Sequence, residues 1–222
     1  MNRLAKYISI IFIPLLVTTP ASAKLFDISA LFKPPGRSQP RATVGGGVRG
    51  KACDQASSAN DSYIAALVPA KEDAKLGRAD KIVLAVRSKG LYGKEGTLIV
   101  TDNDEYLHEQ KVTIVGDGIM GVEFDRIDEL KPNKFYEWSF RVTCGELPDV
   151  NDPSTVSYLS LVEKQASQAK DAESKIMEDA QNGLWYNSLT NALKQENQEP
   201  LNQLLQSIDA QTPDESVYLV EG

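Results

Sequence analysis

Alternating apolar and polar residues mark one stretch of the chain as a strand with a single buried face. From residue 136 to residue 144 every second side chain is apolar or half-apolar, and those between are polar. Side chains of a strand point alternately to its two faces, so this pattern predicts one face in a core. Just upstream, Leu130, Pro132 and Tyr136 have the spacing of a tyrosine corner, in which the hydroxyl bonds back to the preceding turn. Such a corner is typical of immunoglobulin-like and fibronectin-type sandwiches.

Short apolar segments separated by turn residues repeat the strand signal on both sides of this stretch. The acidic turn at residues 101–104 lies between two of them and favours a hairpin. We therefore predict a mainly β fold, with an immunoglobulin- or fibronectin-like β-sandwich over residues 51–162. Its other predicted strands are residues 63–68, 81–86, 97–100, 105–115, 119–124 and 155–162.

The spacing of apolar residues changes to three and four after residue 162, which predicts helices. The first predicted helix begins at residue 163 and ends near Gly183, a second follows it, and a third begins near Pro200. We predict a short C-terminal helical segment, residues 163–210, and a flexible tail, residues 211–222. Partial docking of the helices on the sandwich is favoured over a separate subdomain, because their apolar faces need cover.

The first 23 residues have the pattern of an export signal. Arg3 and Lys6 precede an apolar run, and Ala21-Ser22-Ala23 has the small-x-small form that signal peptidase requires. The run is about half the ~20 residues that span a bilayer. We predict a mature chain that starts at Lys24, is exported to the periplasm or beyond, and does not span the membrane.

Composition and charge limit the classes of molecule that we expect this protein to bind. Without Arg3 and Lys6, 24 − 2 = 22 basic residues face 31 acidic ones, a formal net charge of −9. An acidic exported chain disfavours nucleic acid and anionic membranes as partners. Residues 24–50 are rich in Pro, Gly, Arg and Ser, so most of this stretch is predicted to be an extended or mobile lead-in.

Two cysteines, Cys53 and Cys144, are the only ones in the chain. In an exported protein they predict one disulfide rather than a metal pair or a reactive thiol. In the chain-entropy model a bridge that closes a loop of this length stabilises the fold by about 4 to 5 kcal/mol. It would tie the lead-in to the end of the Tyr136 strand.

The sequence offers no convergent set of catalytic residues. Residues 45–52 come within one residue of the phosphate-binding pattern G-x-x-x-x-G-K-[ST], but they lack the hydroxyl that would hold the metal. His108 is the only histidine, and no G-x-S-x-G motif accompanies it. One histidine and two distant cysteines give no zinc-ligand spacing. We predict a non-enzymatic protein without a cofactor.

Two acidic turns are the candidate metal ligands. Asp102 and Asp104 in one turn, or Asp149 and Asp152 in the other, could offer oxygens to calcium. Neither turn continues into the distal glutamate of an EF-hand loop, and Asp and Asn are ordinary turn residues. No metal site is therefore predicted, and these four aspartates remain weak candidates.

Trp185 and Tyr186 on the second predicted helix are the candidate partner-binding residues. If their helix face is docked, they pack in the core; if it is not, they form an exposed patch for a protein partner. The periodicity alone leaves both alternatives open.

The chain carries, in this order, the export signal, the lead-in RATVGGGVRGKAC, the strand ending in ALVP, the corner LKPNKFYEWSFRVTC and the late GLWYNSL. Together these segments resemble a largely cyanobacterial family of exported proteins catalogued as domain of unknown function 928. The resemblance covers about residues 41–208. It implies the same architecture and compartment, and it brings no catalytic or binding residues.

Two functions are favoured by these observations, and a third, an envelope hydrolase, would rest only on the abundant carboxylates and His108. The first is a non-enzymatic binding, adaptor or structural protein of the cell envelope, with an unidentified protein or envelope component as its partner. The second is a carbohydrate- or calcium-binding module that uses the acidic turns.

Overall fold

The fold consists of two β-sheets with three short helices near the C-terminus. The computed structural model describes Ile28, Leu31, Phe32, Cys53 and residues 62–210 and 215–220. In this part of the chain the helices are α1 (Ala172–Gln181), α2 (Trp185–Leu193) and α3 (Glu199–Ser207). The nine strands are β1 (Tyr63–Ala66), β2 (Lys75–Arg78), β3 (Ile82–Lys89), β4 (Glu95–Asp102), β5 (Glu105–Thr113), β6 (Gly118–Phe124), β7 (Phe135–Thr143), β8 (Ser154–Gln165) and β9 (Val217–Val220).

The strands are divided between a four-stranded and a five-stranded sheet. The smaller sheet has the order β1-β3-β6-β9, and the larger has the order β2-β8-β7-β4-β5. Neighbouring strands are antiparallel except β2 beside β8 and β9 beside β6, which are parallel. Buried side chains of both sheets and of the helices belong to one hydrophobic cluster. The prediction of a mainly β fold followed by a helical segment is confirmed.

The tyrosine corner has the predicted geometry. Its ring is buried, and the backbone N–H of Lys131 donates to the Tyr136 hydroxyl oxygen at 2.7 Å. Along β7 the side chains alternate as expected, with Trp138 and Phe140 fully buried. Phe135, at the start of β7, lies on the opposite face and is 44% exposed.

The structure differs from the sequence prediction at two segment boundaries, and it contains strand β2, Lys75–Arg78, which the sequence did not predict. Strand β8 continues to Gln165, and α1 begins only at Ala172, where the Asp171 side chain accepts a hydrogen bond from the N–H of Ser174. That carboxylate satisfies one of the free N–H groups of the first turn, so it fixes the start of the helix. Residues 217–220, predicted to belong to a flexible tail, instead form β9.

The predicted signal peptide and most of the lead-in lie outside the described residues. Within the lead-in, Ile28 and Phe32 are each only 4% exposed and belong to the hydrophobic cluster. The Phe32 ring meets the Trp185 ring edge-on, with the centroids 5.0 Å apart. This part of the lead-in is therefore packed against the domain.

Candidate functional site

Trp185 and Tyr186 lie inside the protein. Both side chains are fully buried. The indole N–H of Trp185 donates to the carbonyl oxygen of Leu67 at 3.2 Å. The Tyr186 hydroxyl accepts from the indole N–H of Trp138 at 2.9 Å and donates to the carbonyl oxygen of Tyr158. These residues hold α2 to the core, so the exposed partner-binding patch that the sequence left open is not formed here.

The hydroxyl of Tyr186 remains a neutral donor over the ordinary pH range. Burial raises the pKa of Tyr186 well above its usual value, because the charged phenolate would lose its hydration. The proton needed for the bond to Tyr158 is therefore retained.

Helix α2 also covers backbone that the sheets leave unpaired. Strand β2 is an edge strand, and the N–H of Gly77 donates to the Asn187 Oδ1 atom at 2.7 Å. In the other sheet β1 pairs only with residues 86–89 of β3, and the N–H of Val83 donates to the Thr190 Oγ1 atom at 2.7 Å. These two polar side chains on a buried helix stabilise both sheet edges, which explains why the helix is docked.

The first acidic turn is accounted for by hairpin geometry. Asn103 and Asp104 have φ values of +47° and +70°, as a two-residue turn between β4 and β5 requires. Asn and Asp tolerate this left-handed conformation better than most side chains do. Asp102 accepts a hydrogen bond from the Asn103 amide at 3.0 Å and forms an ion pair with Lys134.

The second acidic turn is closed by its own carboxylates. Asp149 Oδ1 accepts from the backbone N–H and the side-chain amide of Asn151, both at 2.8 Å, and these bonds lower the pKa of Asp149. Asp152 is buried and accepts from the N–H of Asp149 at 2.7 Å and from the N–H of Cys144 at 3.4 Å. In the described residues no three or more His, Cys, Asp or Glu side chains are grouped to hold a metal ion.

A disulfide joins Cys53 to Cys144, as the sequence predicts. Cys144 directly follows β7 at the end of the sheets from which three loops leave the strands, residues 90–94, 114–117 and 145–153, which we call the loop end. The bridge closes a separation of 91 residues and ties Cys53, which follows the lead-in, to the residue just before the third loop.

Hydrogen bonds connect the three loops of the loop end. The N–H of Gly93 donates to the carbonyl oxygen of Ile114 at 2.8 Å, which joins the first loop to the second. The Lys94 ammonium donates to the carbonyl oxygen of Cys144 at 3.4 Å, which joins the first to the third. The first loop is therefore bonded to the second loop and to the residue that precedes the third.

The loop end carries an unusual share of the exposed apolar surface. Eight large apolar side chains are exposed in the described residues, and four of them are here: Tyr92 (75% exposed), Val115 (40%), Leu147 (79%) and Val150 (95%). None of these four side chains is among the candidate residues that the sequence patterns single out. The sequence does carry one indication of this surface. Leu147 and Val150 are apolar, but their neighbours show neither the period of a strand nor that of a helix.

A polar cleft of about 540 Å³ opens at the other end of the sheets. The Glu123 carboxylate is bound by two ammonium groups, with Lys81 at 2.5 Å and Lys194 at 3.3 Å. The hydrogen bond from Lys81 is the main reason that the pKa of Glu123 is lowered. The lining residues are Lys81, His108, Glu109, Gln110, Glu123, Asp125 and Arg126.

His108, the only histidine, lies in this cleft, and no serine, threonine or cysteine is among the lining residues. A ring nitrogen of His108, Nε2, is 3.2 Å from the Gln110 Oε1 atom, and the ring meets Phe124 edge-on with the centroids 5.4 Å apart. The Gln110 Nε2 atom is buried and has no hydrogen-bond partner among the described residues. Gln110, which is one of the lining residues, therefore has a buried amide donor without a partner in the described part of the chain, which the sequence could not reveal.

Helices of the described residues are too short and too polar to cross a membrane. No curated protein matches the chain. Among solved structures, an engineered protein determined at 1.98 Å is similar at 13% identity and a TM-score of 0.35, over 46% of this chain and 20% of that one. The CARDB domain of a Pyrococcus furiosus protein, solved with di-metal ions, is similar at 16% identity and a TM-score of 0.28, over 46% of this chain and 92% of that one.

A family model described as Domain of Unknown Function (DUF928) matches residues 44–212. The match spans most of the chain and nearly all of the two sheets and the three helices. It agrees with the resemblance carried by the corner, the paired cysteines and the late GLWYNSL segment. The chain belongs to the DUF928 family.

Proposed function

We propose that this protein is an exported, non-enzymatic binding protein of the cell envelope that docks a protein partner at its loop end. In this proposal the two sheets form an immunoglobulin-like sandwich, and the loops at one end of it make the contact. The observation that carries it is the exposure of Tyr92, Leu147 and Val150 on loops that are hydrogen-bonded to one another. Binding residues are common on loops that a rigid scaffold positions.

The chemistry of the loop end indicates what kind of partner would fit. Apolar side chains at the centre of an interface contribute most when a polar rim excludes water from them. The rim here includes the exposed acids Glu146 and Asp149. A matching partner would present an apolar pocket bordered by Lys or Arg side chains.

The proposal also states that the protein is exported from the cytoplasm. Residues 1–23 have the pattern of an export signal. The Cys53–Cys144 disulfide suits an oxidising space outside the cytoplasm. Fractionation of the source cells followed by N-terminal sequencing tests this part, with Lys24 expected as the first residue and the protein expected outside the cytoplasm. A protein recovered with Met1 in the cytoplasmic fraction would contradict it.

Site-specific cross-linking in cells tests the docking surface. A photo-reactive amino acid is placed at Val150, which is 95% exposed, and in a matched control at Tyr106, which is 66% exposed but lies outside the loop end. We expect one dominant protein adduct from position 150 and none of that mass from position 106. Equal adducts from both positions, or none from either, would leave the loop end without a partner.

The identified partner is then tested as a pure protein. Leu147→Ser and Val150→Ser together should weaken its binding at least tenfold, since each removes an apolar contact from the centre of the interface. Tyr106→Ser is the matched control and should leave the Kd unchanged. Because the rim is acidic, we also expect weaker binding as the salt concentration rises.

A second candidate is a carbohydrate site in the polar cleft. The supporting observation is the buried Gln110 amide donor without a partner, beside His108 and the exposed carboxylate of Glu109. Planar amides and carboxylates are suited to the hydroxyl groups of sugars. Calorimetry with envelope oligosaccharides tests it: heat that Gln110→Ala abolishes and Asp104→Asn leaves intact would support this candidate. Absence of heat with every sugar would remove it.

A further inference from the structure

Strand β9 occupies the free edge of β6 as a separate short segment. It runs parallel to β6, with Val217 beside Ile119 and Val220 beside Val122. The N–H of Ile119 donates to the carbonyl oxygen of Ser216 at 2.9 Å. Main-chain bonds of this kind are the usual means by which an extended peptide adds to a sheet edge.

The surface beside β6 is shaped to receive this segment. A Cβ atom at Gly116 would lie within 3.0 Å of the Tyr218 phenol, and one at Gly118 would lie within 3.0 Å of the Ser216 carbonyl oxygen. Gly118 also has a φ of +125°, which L side chains rarely adopt. Both glycines therefore leave room for the incoming strand, and larger side chains would close it.

A buried cation completes the surface. Arg87 is 9% exposed, and its guanidinium donates to Glu215 at 2.9 Å through Nε and lies 2.8 Å from the same carboxylate through Nη2. It also donates to the carbonyl oxygen of Ala210. A buried guanidinium needs an anion, so the acid that precedes β9 is part of the fit. We call Arg87, Gly116, Gly118 and residues 119–122 the acceptor groove.

The acceptor groove and the strand that fills it are separable. The family match ends at residue 212, so it contains the whole acceptor groove and none of β9. Residues 211–214, Gln-Thr-Pro-Asp, are the only covalent link between Ala210 and the segment 215–220. The contacts described above are made with the groove by residues 215–220, apart from the Ala210 carbonyl oxygen, which precedes this link. None of these contacts distinguishes the chain's own strand from the same strand of another molecule.

We propose that the acceptor groove also binds residues 215–220 of a second copy of this chain, so that two molecules exchange β9. Residues 215–220 of a second copy fit the groove because they are identical to the strand already bound there. They supply the same acid to Arg87 and the same tyrosine to Gly116. Reciprocal exchange of an identical element retains every contact of the closed monomer and is a low-cost route to dimers. The inference is independent of the docking proposed for the loop end.

Isotope-coded cross-linking of the full mature chain tests the exchange. A photo-reactive amino acid replaces Leu219, which is 41% exposed and packs beside Gly121, in both heavy-isotope and light-isotope protein. The two preparations are mixed in equal amounts over a range of concentrations, irradiated and digested. We expect cross-links from position 219 into residues 116–122 that join heavy to light peptides, and in a fully exchanged dimer roughly half should be mixed.

Three outcomes would overturn the proposal. If every such cross-link joins peptides of one isotope at all concentrations, the strand stays in its own molecule. If no cross-link reaches residues 116–122, the strand does not occupy the acceptor groove. The third outcome is a result with the variant Glu215→Gln, which changes only the incoming segment. The proposal expects this variant to lower the cross-link yield several-fold, and the matched control Glu146→Gln to leave the yield unchanged. Mixed cross-links unaffected by Glu215→Gln would arise from another contact.

Discussion

Replacing Tyr186 by phenylalanine tests whether α2 belongs to the core. The change removes one oxygen atom and keeps the buried ring. The hydroxyl accepts the indole N–H of Trp138 at 2.9 Å and donates to the carbonyl oxygen of Tyr158. Both partners would then be left without this bond in a region where the tyrosine is fully buried.

The magnitude follows from the two unpaired groups. A buried polar group that loses its partner costs about 1 to 3 kcal/mol, so the variant should be less stable by about 2 to 4 kcal/mol. This is a large part of the roughly 5 to 15 kcal/mol by which domains are stable, and it should lower the Tm by about 5 to 15 °C. The reason for the loss is the desolvated indole N–H and carbonyl, since the packing of the ring is retained.

Urea unfolding followed by tryptophan fluorescence measures the effect. Trp138 and Trp185 are both fully buried, so the emission of the folded protein should resist quenching by acrylamide. The slope m should stay constant while the midpoint falls, because the surface exposed on unfolding is unchanged. Tyr106→Phe is the matched control: its ring is 66% exposed, and the expected change is within about 0.5 kcal/mol.

Two results would refute this reasoning. A loss of less than about 0.5 kcal/mol for Tyr186→Phe would mean that the hydroxyl makes no net contribution beyond that of an exposed one. Tryptophan emission that acrylamide quenches in the folded wild-type protein would place an indole in water. Either result would favour the alternative in which Trp185 and Tyr186 form an exposed patch.

Three further predictions concern other contacts. Asn187→Leu should cost about 2 kcal/mol in urea unfolding, because the N–H of Gly77 would lose its acceptor at a buried edge. Glu123→Gln should cost about 1 kcal/mol at pH 7. Because the pKa of Glu123 is lowered, its stabilisation is present above the usual value of 4.5 and is lost as the pH falls through the lowered value, so the two stability–pH curves should converge in acid. Thiol labelling of the unfolded, unreduced protein should find neither Cys53 nor Cys144 reactive, and serine at both positions should cost about 4 kcal/mol.

The strands that the sequence predicted are those whose burial is visible in their own residues. In β7 one face is buried and the other is wet, so Trp138 and Phe140 alternate with polar side chains. The tyrosine corner is also local, since its donor and acceptor are five residues apart. Short-range patterns of this kind can be recognised in one sequence.

The parts that were missed depend on distant partners. Strand β2 has the four residues KLGR, which show no alternation, and it is stabilised by parallel pairing with β8 and by Asn187 on α2. Strand β9 is equally short and depends on the edge of β6. Asn187 and Thr190 look like a solvent face in the sequence, but they bind backbone groups more than a hundred residues away. No local period encodes such contacts.

The edges of the two sheets explain why strand exchange is expected at β6 and not at β2 or β5. An open edge pairs readily with another chain unless it is covered or charged. Helix α2 covers β2 through Asn187, while β5 is exposed and carries Glu105, Glu109 and Lys111. Charges on an edge strand oppose a second strand, because they would be desolvated or meet like charges. Residues 119–122 of β6 are apolar residues and glycine instead, and Arg87 on the neighbouring strand β3 is a buried cation that requires an acid. A strand that carries that acid is therefore accepted at β6, and β5 would repel it.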